Sequence, residues 1–168
     1  MKLLAYALLL LIFSGAALAQ DNAGLFFYGP PPSVETITSL AGDAKVETER
    51  DGAVTRVTIS WSEVSVILHI DADWPRDEQL SGIRGLLAGL PALERKRPDV
   101  KQLLANLDKI TTCYGSVIDP GYDREGNVVA FLKKLVAPTG GFLFTFQSFY
   151  SADGRRITGL QDDPEFLK

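Results

Sequence analysis

Apolar residues at every second position of two consecutive segments, 56–61 and 64–70, constrain this fold more than any other feature of the sequence. The segments read RVTISW and VSVILHI, with an apolar residue at every second position. A period of two residues is that of a β-strand that buries one face. The Asp51-Gly52 pair before the first segment predicts a hairpin that joins Lys45–Glu49 to Val54–Trp61. Three strands of a half-buried sheet are therefore expected here.

Apolar residues then recur at helical spacing in three later segments. The first helix is predicted to begin near Asp77 and Glu78, whose carboxylates suit the positive end of a helix dipole, and to end at Pro91. The second begins at Pro98-Asp99, and the third follows Asn127. The apolar positions expected to face the core are Leu80, Ile83, Leu87, Leu90, Leu103, Leu104, Leu107, Ile110, Val128, Phe131, Leu132 and Leu135.

Further strands complete the predicted fold. The segment TCYGSVI at 112–118 is one strand, FLFTFQSFY at 142–150 is predicted as another, and a turn at Asp153-Gly154 leads into a last short strand. The order β-β-β-α-α-β-α-β-β predicts an α+β fold with a mostly antiparallel sheet packed by helices on one face. Three aromatic residues of the longer segment share one strand face, which favours core packing over a ligand pocket: Phe142, Phe144 and Phe146.

A short internal repeat relates two strand–helix segments. HIDADWPRDEQL at 69–80 matches VIDPGYDREGNV at 117–128 with an offset of 48 residues. Each copy ends a strand in Ile-Asp, continues through an aromatic residue, Trp74 or Tyr122, and enters a helix. A duplicated strand–helix unit is compatible with a ferredoxin-like arrangement, and we expect its two strands to be parallel neighbours.

The loop of the second copy also resembles a calcium-binding loop, because it carries Asp119, Asp123 and Glu125. Calcium takes six to eight oxygen ligands, and an EF-hand supplies them at alternate positions. Pro120 and Gly121 interrupt that spacing, and Asn127 leads directly into apolar residues. We therefore interpret the loop as a structural turn into a helix rather than a metal site.

His69 and Cys113 are the only histidine and the only cysteine of the chain, so they form its one possible Cys–His nucleophilic dyad. In the repeat alignment Ser65 corresponds to Cys113, which places His69 four positions further along its strand. At about 3.3 Å per residue the two side chains would lie about 13 Å apart, whereas proton transfer needs about 3 Å. We expect Cys113 to be an ordinary thiol with a pKa of about 8.5.

No other pattern identifies a catalytic, cofactor-binding or metal-ligating residue. One histidine and one cysteine fall short of the three or four protein ligands that zinc usually takes. The basic run ERKRPDVK at 94–101 is interpreted as a solvated connection between helices, with an anion or partner site as the alternative. Catalysis by two carboxylates stays open, since any two acids could meet in the fold. The sequence favours a protein that is not an enzyme.

The N-terminal residues 1–19 have the pattern of a secretory signal peptide. A positive charge at Lys2 precedes the apolar run Leu3–Phe13, and Ala17-Leu18-Ala19 is typical of a signal peptidase site. The run is too short to span a bilayer, which needs about 20 apolar residues. Residues 20–43 are then predicted as an irregular leader that contains Pro30-Pro31-Pro32, and residues 44–168 as a single α+β domain.

Charge and cysteine content exclude several classes of function. Without Lys2, 16 of the 17 basic residues remain against 21 acidic ones, so the chain after Ala19 carries a net charge of −5. A mildly acidic chain without a long basic patch is a poor candidate for binding nucleic acid or anionic lipid. A single cysteine forms no internal disulfide, so the core or a partner must stabilise the fold.

The function favoured by these observations is that of an exported bacterial domain, soluble in the periplasm or outside the cell, which binds or assembles with another protein without catalysis. The expected partner site is the apolar segment Leu25–Tyr28 of the leader or an exposed face of the sheet. A carrier of small molecules and a hydrolase with carboxylate catalysis are the alternatives.

Export predicts a defined mature mass. Because Ala17-Leu18-Ala19 follows the apolar run, the exported protein should have the intact mass of residues 20–168. Mass spectrometry of the exported fraction measures this directly, and a full-length mass in that fraction would contradict the assignment.

Overall fold

The structure, a computed structural model, describes residues 21–70, 76–121, 126–145 and 148–159. These residues form one eight-stranded antiparallel sheet in the order β2-β3-β4-β5-β1-β6-β7-β8. The strands are β1 Asp21–Phe27, β2 Lys45–Asp51, β3 Val54–Ser60, β4 Ser65–Ile70, β5 Thr112–Asp119, β6 Phe142–Thr145, β7 Ser148–Ser151 and β8 Arg156–Gly159. The predicted α+β class and antiparallel sheet are confirmed.

Five α-helices accompany the sheet in the described ranges. They are α1 Val34–Ala41, α2 Arg76–Ala88, α3 Ala92–Arg95, α4 Pro98–Asn106 and α5 Asn127–Val136. Short 3-10 turns, Leu107–Lys109 and Ala137–Thr139, follow α4 and α5. None of these helices is long and apolar enough to cross a membrane.

Local sequence explains the β2–β3–β4 meander that the alternation predicted. Gly52 adopts a φ of 62°, which permits the tight turn between β2 and β3. The Trp61 amide donates to the Val64 carbonyl at 2.9 Å and closes the connection from β3 to β4. On β3, Val57 and Ile59 are fully buried as the period of two requires.

Strand β1 is the largest departure from the sequence-based account. The segment predicted as an irregular leader, 20–43, contains β1, which lies between β5 and β6 in the middle of the sheet. It also contains α1, which Ser33 caps by accepting a hydrogen bond from the Thr36 amide. Leu25–Phe27 is apolar at consecutive positions because both faces of a central strand are buried, and such a run lacks the alternation of a half-buried strand.

Helices cover both faces of the sheet, where the sequence led us to expect one. Alternate residues of β1 belong to different cores: Leu25 and Phe27 pack with α1 and α5, whereas Phe26 packs with α2 and α4. Both faces are covered because the helical connections between strands pack on different sides: α1 and α5 pack on one face of the sheet, and the α2–α4 connection packs on the other. The predicted core-facing positions of α2, α4 and α5 that are buried include Leu80, Ile83, Leu87, Leu103, Val128, Phe131, Leu132 and Leu135.

The internal repeat marks two real strand–helix steps without a ferredoxin-like symmetry. Strands β4 and β5, which carry the two copies, are neighbours but run antiparallel, with Ser65 opposite Asp119. Helix α2 follows the first copy and packs on one face, and α5 follows the second and packs on the other. The expected parallel register is therefore wrong.

The segment 142–150 forms two strands instead of one. Thr145 pairs with Ser148, so β6 and β7 form a tight hairpin. The turn brings Phe149 onto the same sheet face as Phe142 and Phe144, which a continuous strand would not do. The change of aromatic phase between Phe146 and Phe149 is the sequence signal of this turn.

Several predictions concern residues outside the described part of the chain. These are the signal peptide at 1–19, the loop residues Asp71 and Trp74, the residues Tyr122–Glu125 of the calcium-like loop, Phe146, and residues 160–168.

The central position of β1 predicts a large stability difference between two leucine variants. Leu25 is fully buried, so Leu25→Ala should lower the free energy of unfolding by about 2–5 kcal/mol. Leu93 is 81% exposed, so Leu93→Ala should change it by less than about 0.5 kcal/mol. Urea titrations measure both, and equal effects would contradict the burial of β1.

Candidate functional site

A groove of about 300 Å³ lies between α4, the end of β1, the β7–β8 hairpin and the turn before β6. Its floor is apolar, with Leu103, Phe142 and Ile157, each of which is at least nine-tenths buried. Polar side chains form its walls and rim.

Close packing against β1 fixes the floor of the groove. The Phe142 ring stacks on the Phe26 ring with centroids 4.4 Å apart and planes at 9°. A side chain at Gly141 would overlap the carbonyl oxygen of Phe26, so the chain can cross β1 here only as glycine. Gly140, at φ 71°, makes the preceding turn.

Three uncharged polar side chains form the walls: Tyr28, Gln102 and Asn106. The last two lie four residues apart on α4 and so share one helix face. Within the described residues, no hydrogen bond engages any of the three side chains, so their donors and acceptors are free for a ligand. Burial raises the pKa of Tyr28, which keeps its hydroxyl protonated and able to donate.

Ion pairs hold one side of the rim. Arg97 donates to Asp99 at 2.9 Å and to Glu94 at 3.0 Å, and Glu94 also accepts from the Thr158 hydroxyl at 2.9 Å. Asp99 further accepts from the Val100 amide at 3.0 Å. These contacts connect α3 and α4 to β8, and they engage both carboxylate oxygens of Asp99.

Arg155 reaches the rim from the β7–β8 hairpin. Its nearest carboxylate among the described residues is that of Asp99, at 3.6 Å, a distance too long for a hydrogen bond, and its side chain is 63% exposed. Within the described residues its guanidinium donates no hydrogen bond. Asp153 beside it accepts hydrogen bonds from the Ser151 hydroxyl and the Arg155 amide, and these bonds lower the pKa of Asp153.

This arrangement suits binding better than acid–base chemistry. A carboxylate pair needs one acid whose pKa is raised enough to hold a proton. In the groove, hydrogen bonds lower the pKa of Asp153, and both oxygens of Asp99 are engaged, one by Arg97 and one by the Val100 amide. The described residues contain no group of three or more potential metal-ligating His, Cys, Asp or Glu side chains.

The structure places His69 and Cys113 closer than the repeat suggested, without pairing them. His69 lies opposite Gly115 on antiparallel strands, so Cys113 is its diagonal neighbour, about 7–8 Å away between Cα atoms. Burial lowers the pKa of His69, as does the charge of Arg56, so its imidazole is neutral at pH 7. Burial raises the pKa of the Cys113 thiol to about 11 against the opposing charge of Arg76. The expected ordinary thiol pKa is therefore wrong, because the thiol is packed beside the core.

The other candidate sites have mixed outcomes. Leu25–Phe27 is buried, so the predicted partner site on the leader is wrong for these residues, while Tyr28 lines the groove. The run 94–101 supplies Arg97 and Asp99 to the rim ion pairs. One face of the sheet carries Arg56, Ile67 and His69, whose side chains are exposed or half-buried. No described residue of β2–β4 belongs to the core beneath α2 and α4.

Sequence reasoning missed the groove because its residues come from four separate segments. Tyr28 fell in the supposed leader, and Arg155 in a turn that was interpreted only as a turn. The one local signal was the pair Gln102 and Asn106, two polar residues spaced by four on one face of the helix.

Comparisons of the chain with protein-family models, with curated proteins and with solved structures gave no match. The function must therefore be argued from the groove and the sequence alone.

The burial of Cys113 predicts slow alkylation. Since its pKa is raised to about 11, the thiolate fraction of the folded protein is small at pH 7 and increases as the pH rises towards that value. Iodoacetamide should modify the folded protein slowly at neutral pH and faster in alkali, and His69→Ala should not change this profile. Rapid alkylation at pH 6 that is lost in His69→Ala would show a Cys–His ion pair.

Proposed function

We propose that this chain is an exported, non-catalytic binding domain that holds a segment of a partner protein in the groove between α4 and the β7–β8 hairpin. The observation that carries the proposal is the set of three uncommitted polar side chains, Tyr28, Gln102 and Asn106, around a buried apolar floor. Such a combination of apolar surface and a few convergent polar groups is typical of binding sites.

The chemistry of the walls favours a peptide segment as the occupant. Each carboxamide of Gln102 and Asn106 can donate and accept, which complements the N–H and C=O groups of a peptide backbone. The floor of Leu103, Phe142 and Ile157 offers apolar contact for one side chain. The volume, about 300 Å³, is at the lower end of the range for small-molecule pockets, about 300–1,000 Å³.

The two alternative functions use the same groove differently. A carrier of a small molecule would fill it with a free ligand, and native mass spectrometry would then find that ligand bound to the purified protein. A hydrolase would need a proton donor, and the ionised state of Asp153 and the pairing of Asp99 with Arg97 oppose that role.

The location of this function follows from the N-terminal sequence. A signal peptide at 1–19 would direct the chain to the periplasm or the outside of the cell. Cleavage after Ala19 leaves only Gln20 ahead of β1, so the mature domain would begin at its central strand.

Site-specific crosslinking tests the groove as a partner site. A photoreactive residue at Gln102 should form a covalent adduct with one exported protein, and the same residue at Gln79 of α2, outside the groove, should not. Equal adducts from both positions would contradict the proposal.

The same partner then allows an affinity measurement. The double variant Gln102→Ala with Asn106→Ala removes two neutral hydrogen-bonding groups and should weaken binding by at least about fivefold, because each such bond contributes about 0.5–1.5 kcal/mol. Lys101→Ala, an exposed position on the same helix that does not line the groove, should leave the affinity unchanged.

A further inference from the structure

We propose that the groove recognises the C-terminal carboxylate of its partner, with Arg155 as the residue that binds the carboxylate and the apolar floor as the seat of the terminal side chain. This inference rests on the proposed function and specifies which part of the partner enters the groove.

The argument begins with the difference between the two arginines of the rim. Arg97 is committed, since it donates to Glu94 at 3.0 Å and to Asp99 at 2.9 Å. Arg155 shares the Asp99 carboxylate only at 3.6 Å, and no hydrogen bond from its guanidinium is formed within the described residues. Arg97 thus engages Glu94 and Asp99 with direct hydrogen bonds, whereas the planar fork of Arg155 has only the longer contact to Asp99 and can donate to a further carboxylate.

The backbone of Arg155 is held by hydrogen bonds, whereas its exposed guanidinium makes none within the described residues. Its amide donates to Asp153 at 3.2 Å, and its carbonyl accepts from the Ser151 amide and the Ser151 hydroxyl, both at 2.9 Å. The hairpin tip therefore fixes the backbone from which the guanidinium extends to the rim, so the tip itself needs no ordering on binding.

The uncharged walls complete a set of donors. Tyr28, Gln102 and Asn106 can each donate a hydrogen bond into the groove, and none of them adds negative charge. A terminal carboxylate has two oxygens with about four acceptor sites, more than Arg155 alone would fill. The floor residues lie beside these donors, so an apolar terminal residue would bury its side chain there.

Two acidic groups oppose an anionic ligand and must be included. Asp99 is paired with Arg97, and Asp153 is exposed at the hairpin tip with one oxygen engaged by Ser151 and the Arg155 amide. Asp153 remains a negative charge near the carboxylate site. Replacing it should therefore strengthen carboxylate binding, in the opposite direction to the effect of replacing Arg155.

The test compares a peptide that has a free C-terminus with its amide. Isotope-labelled mature protein is titrated with acetyl-Ala-Ala-Leu and with acetyl-Ala-Ala-Leu-amide, and with the pairs that end in Phe and Val, while backbone amide shifts are followed by NMR. The free acids should shift residues of α4 and of the β7–β8 hairpin. They should bind at least about fivefold more tightly than the amides, because hydrogen bonds to charged groups are stronger than neutral ones.

Three variants assign the effect to the rim. Arg155→Gln should abolish the preference for the acid. Arg50→Gln removes an equal charge from an exposed position of β2, at the sheet edge opposite to β8, and should preserve the preference. Asp153→Asn keeps the oxygen that accepts from the Arg155 amide and should raise the affinity for the acid.

Each contrary outcome is decisive. The carboxylate inference would be overturned if the peptide acids and amides bound equally tightly or if the Arg155→Gln protein bound the acids as tightly as the unchanged protein does. It would also be overturned if no peptide shifted any backbone amide resonance. Crosslinking of a partner from position 102 would still support the groove as a partner site in those cases. Acetyl-leucine that binds as tightly as the tripeptide acid would identify a small carboxylic acid as the ligand and overturn the assignment to a protein terminus.

Discussion

Strand β1 holds this structure together, because it pairs along both edges and contributes side chains to both cores. Along one edge it pairs with β5, from Asp21 opposite Ile118 to Phe27 opposite Thr112. Along the other edge it pairs with β6, where Gly24 lies opposite Phe144. Without it, the sheet would separate into β2–β5 and β6–β8. A short strand near the start of the chain therefore determines whether the described residues form one sheet or two.

The groove depends on the same strand. Phe26 of β1 stacks beneath Phe142 of the groove floor, and the backbone of Gly141 crosses directly over the Phe26 carbonyl. Tyr28, the residue after β1, forms one wall. On the other side, the Glu94–Arg97–Asp99 ion pairs and the Thr158 hydroxyl connect α3 and α4 to β8. The position of α4 and the shape of the binding surface are thus set by contacts to the sheet.

The sequence predicted the half-buried parts of the fold well. Alternation predicted β3 and β4, turn residues predicted the hairpin at Gly52, and helical spacing predicted α2, α4 and α5. These strands and helices could be predicted because each has one face in water. The prediction failed at β1 because a strand that is buried on both faces loses its period of two, and the adjacent prolines suggested an irregular segment.

The arrangement of the elements was harder to predict than the elements. The repeat indicated two strand–helix steps but carried no information on whether β4 and β5 run parallel or which face each helix covers. The distance between His69 and Cys113 was wrong for that reason. The groove was missed because its walls come from residues distant in sequence, and only tertiary contacts bring Tyr28, Gln102 and Arg155 together.

Native-state hydrogen exchange of the β1 amides tests the central claim most directly. If β1 is the middle strand of the sheet, the amides of Leu25, Phe26 and Phe27 should exchange only through global unfolding, with the same free energy as the most protected amides of β5. Exchange of these three amides as fast as that of the exposed Leu93 amide would show that β1 is not part of the sheet. The two-core fold and the groove floor would then both be wrong.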